Sequence, residues 1–119
     1  MQRIEQVMQS AGCGLKLTIF ARDDDVWNHR PLYYEIVRRA RNAGLSRAIV
    51  LRGIEGYGAD GIVHTSRLLS LSHSLPLLVV IVDAEDRIRR FVPQLSELIE
   101  EGMATLEKVE IITYAPTPR

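Results

Sequence analysis

The residues best suited to chemistry lie in one glycine-rich stretch near the middle of the chain, from Arg52 to Arg67. Glycine lets backbone N–H groups approach an anion closely, and positive φ angles can arrange such groups as an anion-binding nest. An arginine could bind a phosphate through two hydrogen bonds, an aromatic ring could stack on a base, and a histidine could contact the phosphate or respond to pH. The predicted ligand-binding residues are Arg52, Gly53, Gly56, Tyr57, Gly58, His64 and Arg67. Taken alone, these residues are equally compatible with a plain glycine-rich hairpin turn.

Catalytic motifs find little support in this stretch or elsewhere. No helix follows the glycines directly, as a Rossmann fingerprint requires, and the Gly-Lys-Ser/Thr of a Walker A loop is missing. Two serine–histidine pairs occur, Ser66 with His64 and Ser72 with His73, but neither has a nucleophile elbow. No carboxylate pair is placed so that one group acts as acid and the other as base. We therefore predict that the protein is not an enzyme.

The histidines and acidic residues lack the spacing of a metal site. His29, His64 and His73 are far apart, and adding Cys13 or the run Asp23–Asp25 produces no recognised ligand pattern. A run of aspartates is more often a solvated turn than a site for a hard cation. We predict no metal ligand.

Hydrophobic periodicity predicts the elements that position the glycine-rich stretch. Leu15, Leu17 and Ile19 alternate with other residues, which is typical of a half-buried strand. After Pro31, apolar residues recur at helical spacing, and Gly44 is suited to the end of that helix.

The rest of the chain is predicted to form three more strands and a second helix. Residues 48–54 and 77–82 predict two strands, and 109–112 predict the last one. An apolar stripe from Ile88 to Ile99 predicts a second helix, capped by Asp83 and ended by Gly102. Residues 62–74 fit either a strand or a short helix.

The order β, α, β, β, α, β is the split βαβ pattern of ferredoxin-like domains. It predicts an α+β fold with a four-stranded antiparallel sheet and two helices on one face. The other face has no helix to cover it, so Phe20 and alternate residues of the second and third strands would expose aliphatic surface, which favours self-association. The predicted domain spans residues 14–114. Residues 1–13 form a polar leader, either one helical turn or flexible, and the proline-containing residues 115–119 form a flexible tail.

Composition narrows the class of protein. The chain has 119 residues, 46% of them hydrophobic, which suits one domain. Its 15 basic and 15 acidic residues balance, so no overall field attracts nucleic acid or an anionic membrane. The single cysteine, Cys13, fits a reducing compartment. Residues 1–13 contain no apolar h-region, so we expect no signal peptide, and no apolar run approaches the ~20 residues of a membrane span. We predict a cytoplasmic protein with no nucleic-acid partner and no direct membrane insertion.

Three segments, in this order, resemble the motifs of an uncharacterised PII-like family of unknown function. Residues 30–37 resemble "RPLYEAIV", residues 50–58 resemble "VLRGIEGFG", and residues 64–72 resemble "HTARLLRLS". The resemblance covers roughly Leu15 to Ile112. The relatives of that family, the nitrogen regulatory PII proteins and the CutA-like proteins, are ferredoxin-like homotrimers.

The resemblance implies a homotrimeric signalling protein with ligand clefts between its subunits. In PII proteins the loop between the second and third strands binds or releases target proteins according to the nucleotide in the cleft. Residues 56–65 resemble the base of that loop, "GFGRQKGHTE". Residues 101–106 replace the PII phosphate-contacting segment "GDGKIF", so we expect an adenine nucleotide such as AMP, ADP or a cyclic dinucleotide, bound differently from ATP in PII. The expected partner is a transporter or an enzyme.

Two alternatives stay open. One is a CutA-like protein that binds divalent cations through the histidines and the aspartate run. The other is a small enzyme whose acid–base pair forms only across a subunit interface.

Overall fold

The computed structural model describes residues 7–66 and 74–116. Four long strands are joined by two helices and by two short hairpins. In chain order the elements are β1 (Val7–Arg22), β2 (Val26–Trp27), β3 (Arg30–Pro31), α1 (Leu32–Asn42), β4 (Ala48–Arg52), β5 (Glu55–Gly56), β6 (His64–Thr65), β7 (Pro76–Ala84), α2 (Glu85–Leu98) and β8 (Met103–Pro116). The long strands form one antiparallel sheet in the order β4-β7-β1-β8. This confirms the predicted ferredoxin-like fold.

The core lies between one face of this sheet and the two helices. Alternate residues of β7, and Leu15, Leu17 and Ile19 of β1, are buried there; Leu17 and Ile81, for example, are direct cross-strand partners. Helix α1 contributes Ile36, and α2 contributes Ile88 and Phe91, all almost fully buried. The two helical stripes and the strand alternation therefore meet in a single apolar layer.

The ends of the helices agree only partly with prediction. Gly44 has a φ of +82°, so it adopts the left-handed conformation expected just after α1. The predicted cap of the second helix is wrong: Ala84 precedes α2, and no side chain caps it. The carboxylate of Asp83 instead accepts hydrogen bonds from Ser46. Helix α2 ends at Leu98, before the predicted Gly102, because Ile99 is already extended.

Strands β1 and β8 are longer than their patterns indicate. β1 begins at Val7, so residues 7–13 of the predicted leader are strand, and β8 includes Ala115 and Pro116 of the predicted tail. These ends pair with each other, from Val7 with Pro116 to Gly14 with Val109. Main-chain pairing needs no hydrophobic alternation, so it leaves little signal in the sequence. Residues 1–6 and 117–119 of these two predicted segments lie outside the described residues.

The second face of the sheet exposes a band of apolar side chains, as predicted. One row of cross-strand partners runs Met103, Phe20, Leu78, Leu51 across all four strands. Phe20 is 41% exposed, Leu51 47% and Met103 55%. We call this surface the open face; Ile49, in the next row, is also exposed.

Candidate functional site

The hairpin β5–β6 leaves the sheet between the second and third long strands and is built around Pro76. The Gly53 N–H donates a hydrogen bond of 2.7 Å to the carbonyl of Pro76. A Cβ atom at Gly53 would lie 2.8 Å from Pro76 Cγ, and one at Gly56 would lie 3.1 Å from the same atom. These two glycines therefore allow close packing against the first residue of β7.

The backbone conformation of the glycines differs from the predicted anion nest. Within the stretch that the structure describes, Gly61 has a positive φ of +71°, whereas Gly53, Gly56 and Gly58 do not. Successive N–H groups of these three glycines are therefore not held in a nest by left-handed backbone. Gly53 and Gly56 instead allow close packing on Pro76, and any anion contact must come from side chains or single N–H groups.

Main-chain hydrogen bonds between β5 and β6 close the loop of the hairpin. Gly56 pairs with His64, and the Ser66 N–H donates to the Ile54 carbonyl at 2.9 Å. At the tip, the Asp60 carboxylate accepts a hydrogen bond of 2.9 Å from the Ile62 N–H. An aspartate that bonds to the backbone two residues later is a common turn former.

Arg22, the last residue of β1, reaches this loop. Its Nη2 lies 2.9 Å from Asp60 Oδ2, and both side chains are about one-third exposed. The hydrogen bond from the Ile62 N–H, followed by that from Arg22, lowers the pKa of Asp60. The bond to Asp60 in turn raises the pKa of Arg22. Both groups are therefore fully charged near neutral pH.

The aspartate run is a structured turn beside this ion pair. Asp23 exchanges two hydrogen bonds with the backbone of Leu75, and Asp24 accepts one from the Ser74 hydroxyl. Asp25 accepts one from the Arg22 N–H. The sequence favours a solvated turn over a cation site; in the structure all three carboxylates also accept hydrogen bonds from neighbouring residues, while Asp24 remains exposed.

Arg52 lies at the edge of this turn. Its Nε is 3.7 Å from Asp23 Oδ2, and its side chain is 61% exposed. That separation is long for a hydrogen bond, so the guanidinium keeps most of its donors available to solvent.

The remaining predicted site residues are distributed around the hairpin. Tyr57 is 73% exposed, so its ring presents its surface to solvent. His64 is half-buried, and its Nε2 has no hydrogen-bond partner within the described chain. A Cβ at Gly58 would lie 3.7 Å from Arg22 Nη2. Arg67 lies outside the described residues.

The structure thus groups the described members of the predicted set, all but Arg67, at one end of the sheet and adds two residues that were not predicted, Arg22 and Asp60. The sequence Asp60-Gly61 is a turn signal that marks the loop tip. The pairing with Arg22 joins residues 38 positions apart, and no local pattern indicates such a contact.

A second cluster of charge lies between the helices. The nearly inaccessible Glu35 accepts hydrogen bonds from Arg38 and Arg39, and Arg39 also bonds Glu97 at 2.7 Å. A shallow groove of about 300 Å³ beside it is lined by Arg38, Arg39, Asn42, Ala43 and Gln94. The network links α1 to α2, so its first role is to hold the helices together.

Neither a metal-ligand cluster nor a membrane-spanning helix occurs in the described part of the chain. Residues 7–66 and 74–116 contain no group of three or more His, Cys, Asp or Glu side chains that could hold a metal ion. No helix in those ranges is both long enough and apolar enough to cross a membrane.

The fold is shared with solved structures of PII-like and CutA proteins. CPII, a nitrogen regulatory PII-like protein from Thiomonas intermedia K12, was solved bound to ADP, AMP and bicarbonate. It superposes with a TM-score of 0.60 at 12% identity, covering 87% of this chain and 91% of that one. CutA1 from Oryza sativa superposes with a TM-score of 0.54 at 11% identity, covering 83% and 80%. The chain therefore has the fold of these PII-like and CutA proteins.

Sequence comparison assigns the family. Residues 14–111 match the DUF190 family, described as Uncharacterized ACR. A UPF0166 protein of Aquifex aeolicus (strain VF5) is 38% identical over 96 residues, which is 81% of this chain and 90% of that protein. The chain belongs to the DUF190 family, and the predicted resemblance to an uncharacterised PII-like family is confirmed.

Proposed function

We propose that this protein is a non-enzymatic, cytoplasmic regulator that binds an adenine nucleotide (AMP, ADP or a cyclic dinucleotide) in clefts between the subunits of a homotrimer. The observation that carries the proposal is the hairpin β5–β6. It leaves a PII-like sheet between the second and third long strands, has a base fitted to Pro76 and presents an exposed tip. In this arrangement a ligand bound at the base of the hairpin can change the conformation of its tip.

The side chains around the base suit a phosphorylated ligand with an aromatic ring. Arg52 is exposed and only loosely paired with Asp23, so a phosphate can recruit it through two short hydrogen bonds. Tyr57 offers an exposed ring on which a base can stack. The similarity in fold to CPII, which was solved with ADP and AMP, supports an adenine nucleotide as the first ligand to test.

The exposed apolar surface of the hairpin suits a protein partner. Ile54, Tyr57, Ile62 and Val63 are all more than half exposed on this small element. Exposed apolar side chains grouped in this way commonly mark an interaction surface. A transporter or an enzyme would contact them in one state of the loop, and a nucleotide controls that contact only if it binds the two loop states unequally.

Subunit association would use the open face. Its row of Met103, Phe20, Leu78 and Leu51 is apolar across the whole width of the sheet. Burying this surface against other copies would place neighbouring subunits next to the hairpin that leaves the same sheet.

Nucleotide binding can be measured by isothermal calorimetry and thermal shift with AMP, ADP, ATP and cyclic di-AMP. We expect at least one to stabilise the wild-type protein, and Arg52→Ala to weaken its binding by about 10-fold or more, because a charged hydrogen-bond partner is lost. Arg41→Ala removes an exposed arginine on α1, away from the hairpin, and is the matched control. If none of the four nucleotides binds, the proposed function is wrong.

A further inference from the structure

The contact between Arg22 and Asp60 joins the rigid end of β1 to the tip of the hairpin. The two residues are 38 positions apart, and their side chains meet at 2.9 Å. The Arg22 guanidinium also lies near the backbone of the loop, since a Cβ at Gly58 would be 3.7 Å from its Nη2. Arg22 therefore lies among the candidate ligand residues, although the pattern of the sequence does not single it out.

The two oxygens of Asp60 have separate roles. Oδ1 accepts the Ile62 N–H at 2.9 Å and shapes the turn, whereas Oδ2 binds Arg22. The turn can therefore persist when the arginine leaves, and the arginine contact can be lost without unfolding the loop.

The ion pair is weak enough for a ligand to displace. Both side chains are about one-third exposed, at 36% and 37%, and exposed pairs of this kind shift an equilibrium by only about 1.5- to 5-fold. A phosphate that binds a guanidinium through two parallel hydrogen bonds competes well against a single carboxylate oxygen.

We propose that Arg22 is a phosphate-binding residue of this site and that Asp60 occupies it in the absence of ligand, so that a nucleotide phosphate displaces Asp60 and releases the tip of the hairpin. This inference rests on the proposed function, because it names a further residue that binds the nucleotide and the contact through which nucleotide binding changes the loop. It also gives the loop two discrete states, held by Asp60 or released.

The binding test uses Asp60→Asn, because asparagine keeps the oxygen that accepts from Ile62 and removes the charge that competes for Arg22. We expect ADP or AMP to bind this variant about 1.5- to 5-fold more tightly than wild type. Arg22→Gln should bind about 10-fold more weakly, and Asp60→Asn should have no effect in that background. Arg22→Lys, which keeps the charge but not the planar fork, is the second variant should Arg22→Gln fail to fold. Asp86→Asn, which breaks another exposed ion pair on α2, is the control and should bind like wild type.

The mobility of the loop is tested by hydrogen exchange of the peptide covering residues 57–63, without and with ADP. We expect faster exchange in Asp60→Asn than in Asp86→Asn, and faster exchange in wild type after ADP is added. If nucleotides bind but Asp60→Asn binds them no more tightly, this inference is overturned while the proposed function stands. If wild type binds no nucleotide, the proposed function and the displacement are both overturned, and a change in exchange then shows only that the pair holds the loop.

Discussion

Gly14 lies on the open face of β1, where the side chain of Ile111 crosses it. A Cβ atom at this position would meet Ile111 Cδ1 and would lie 2.5 Å from the carbonyl oxygen of Asp83. The isoleucine can move, but the carbonyl belongs to a strand paired with β1 and cannot easily do so. A Cβ at Gly53 would likewise lie too close to Pro76, at 2.8 Å, whereas one at Gly56 would only be tight, at 3.1 Å, so the absence of a side chain is a packing requirement at Gly14 and Gly53.

This requirement can be tested on one strand. Gly14→Ala is expected to destabilise the protein by about 1–3 kcal/mol, the usual cost of overpacking. Gly12→Ala is the matched control, because it lies two residues away on the same face and its Cβ would have nothing within 4 Å. Urea denaturation of both variants measures the difference. Equal stability of the two would show that the backbone at Asp83 adapts.

At the residue scale, the sequence indicated where the hairpin lies more reliably than which contacts hold it in place. The glycines and arginines between Arg52 and Arg67 identified the hairpin because turn chemistry is local. The Arg22–Asp60 pair and the packing on Pro76 were not predicted, because both join residues distant in the chain. That the seven predicted residues contact a ligand stays a prediction.

At the scale of elements, Asp83 joins the start of β4 to the end of β7. Its carboxylate accepts hydrogen bonds from the backbone N–H and hydroxyl of Ser46 and from the Ala84 N–H. Burial raises the pKa of Asp83, but these hydrogen bonds outweigh it and hold the pKa below its ordinary value. The carboxylate therefore connects the loop after α1 to the strand that precedes α2.

This connection predicts a pH dependence of stability. Because the pKa of Asp83 is lower in the folded state, its contribution is complete above the ordinary value of about 3.9 and is lost as the pH falls below it. Asp83→Asn is expected to be less stable than wild type by about 1–3 kcal/mol at pH 7, with the gap narrowing towards pH 3. Urea denaturation across this range measures it, and Asp86→Asn, which changes an exposed carboxylate, should stay close to wild type at pH 7. If the difference in free energy of unfolding between wild type and Asp83→Asn does not change with pH, the role of Asp83 is packing alone.

At the scale of the whole molecule, the main feature is a sheet covered on one face only. The helices bury Ile19, Val79 and Ile81 on one side, while Phe20 and Leu51 remain exposed on the other. Beyond Gly14, where β7 ends, β1 and β8 continue as a two-stranded arm, and the molecule measures 53 × 32 × 25 Å. Both features leave surface that a neighbouring copy can bury.

The open face should therefore control association. Leu51→Lys is expected to convert the proposed trimer into monomers at micromolar concentration, because the charge would be buried without a partner. Val26→Lys, which changes an exposed apolar residue of the β2–β3 hairpin, is the control and should leave the mass unchanged. Light scattering coupled to size exclusion measures both. A monomeric wild type would contradict the trimer, and a trimeric Leu51→Lys would place the interface elsewhere.

The sequence by itself determined the order of the elements and the face that each one buries, because periods of two and 3.6 residues are local properties of strands and helices. It also located the glycine-rich hairpin and, through its motifs, the family. Only the tertiary structure decided how far β1 and β8 extend, that Asp83 binds Ser46 rather than capping α2, and that Arg22 reaches Asp60. Each of these depends on main-chain pairing or on polar contacts between distant residues, which become neighbours only when the sheet has formed.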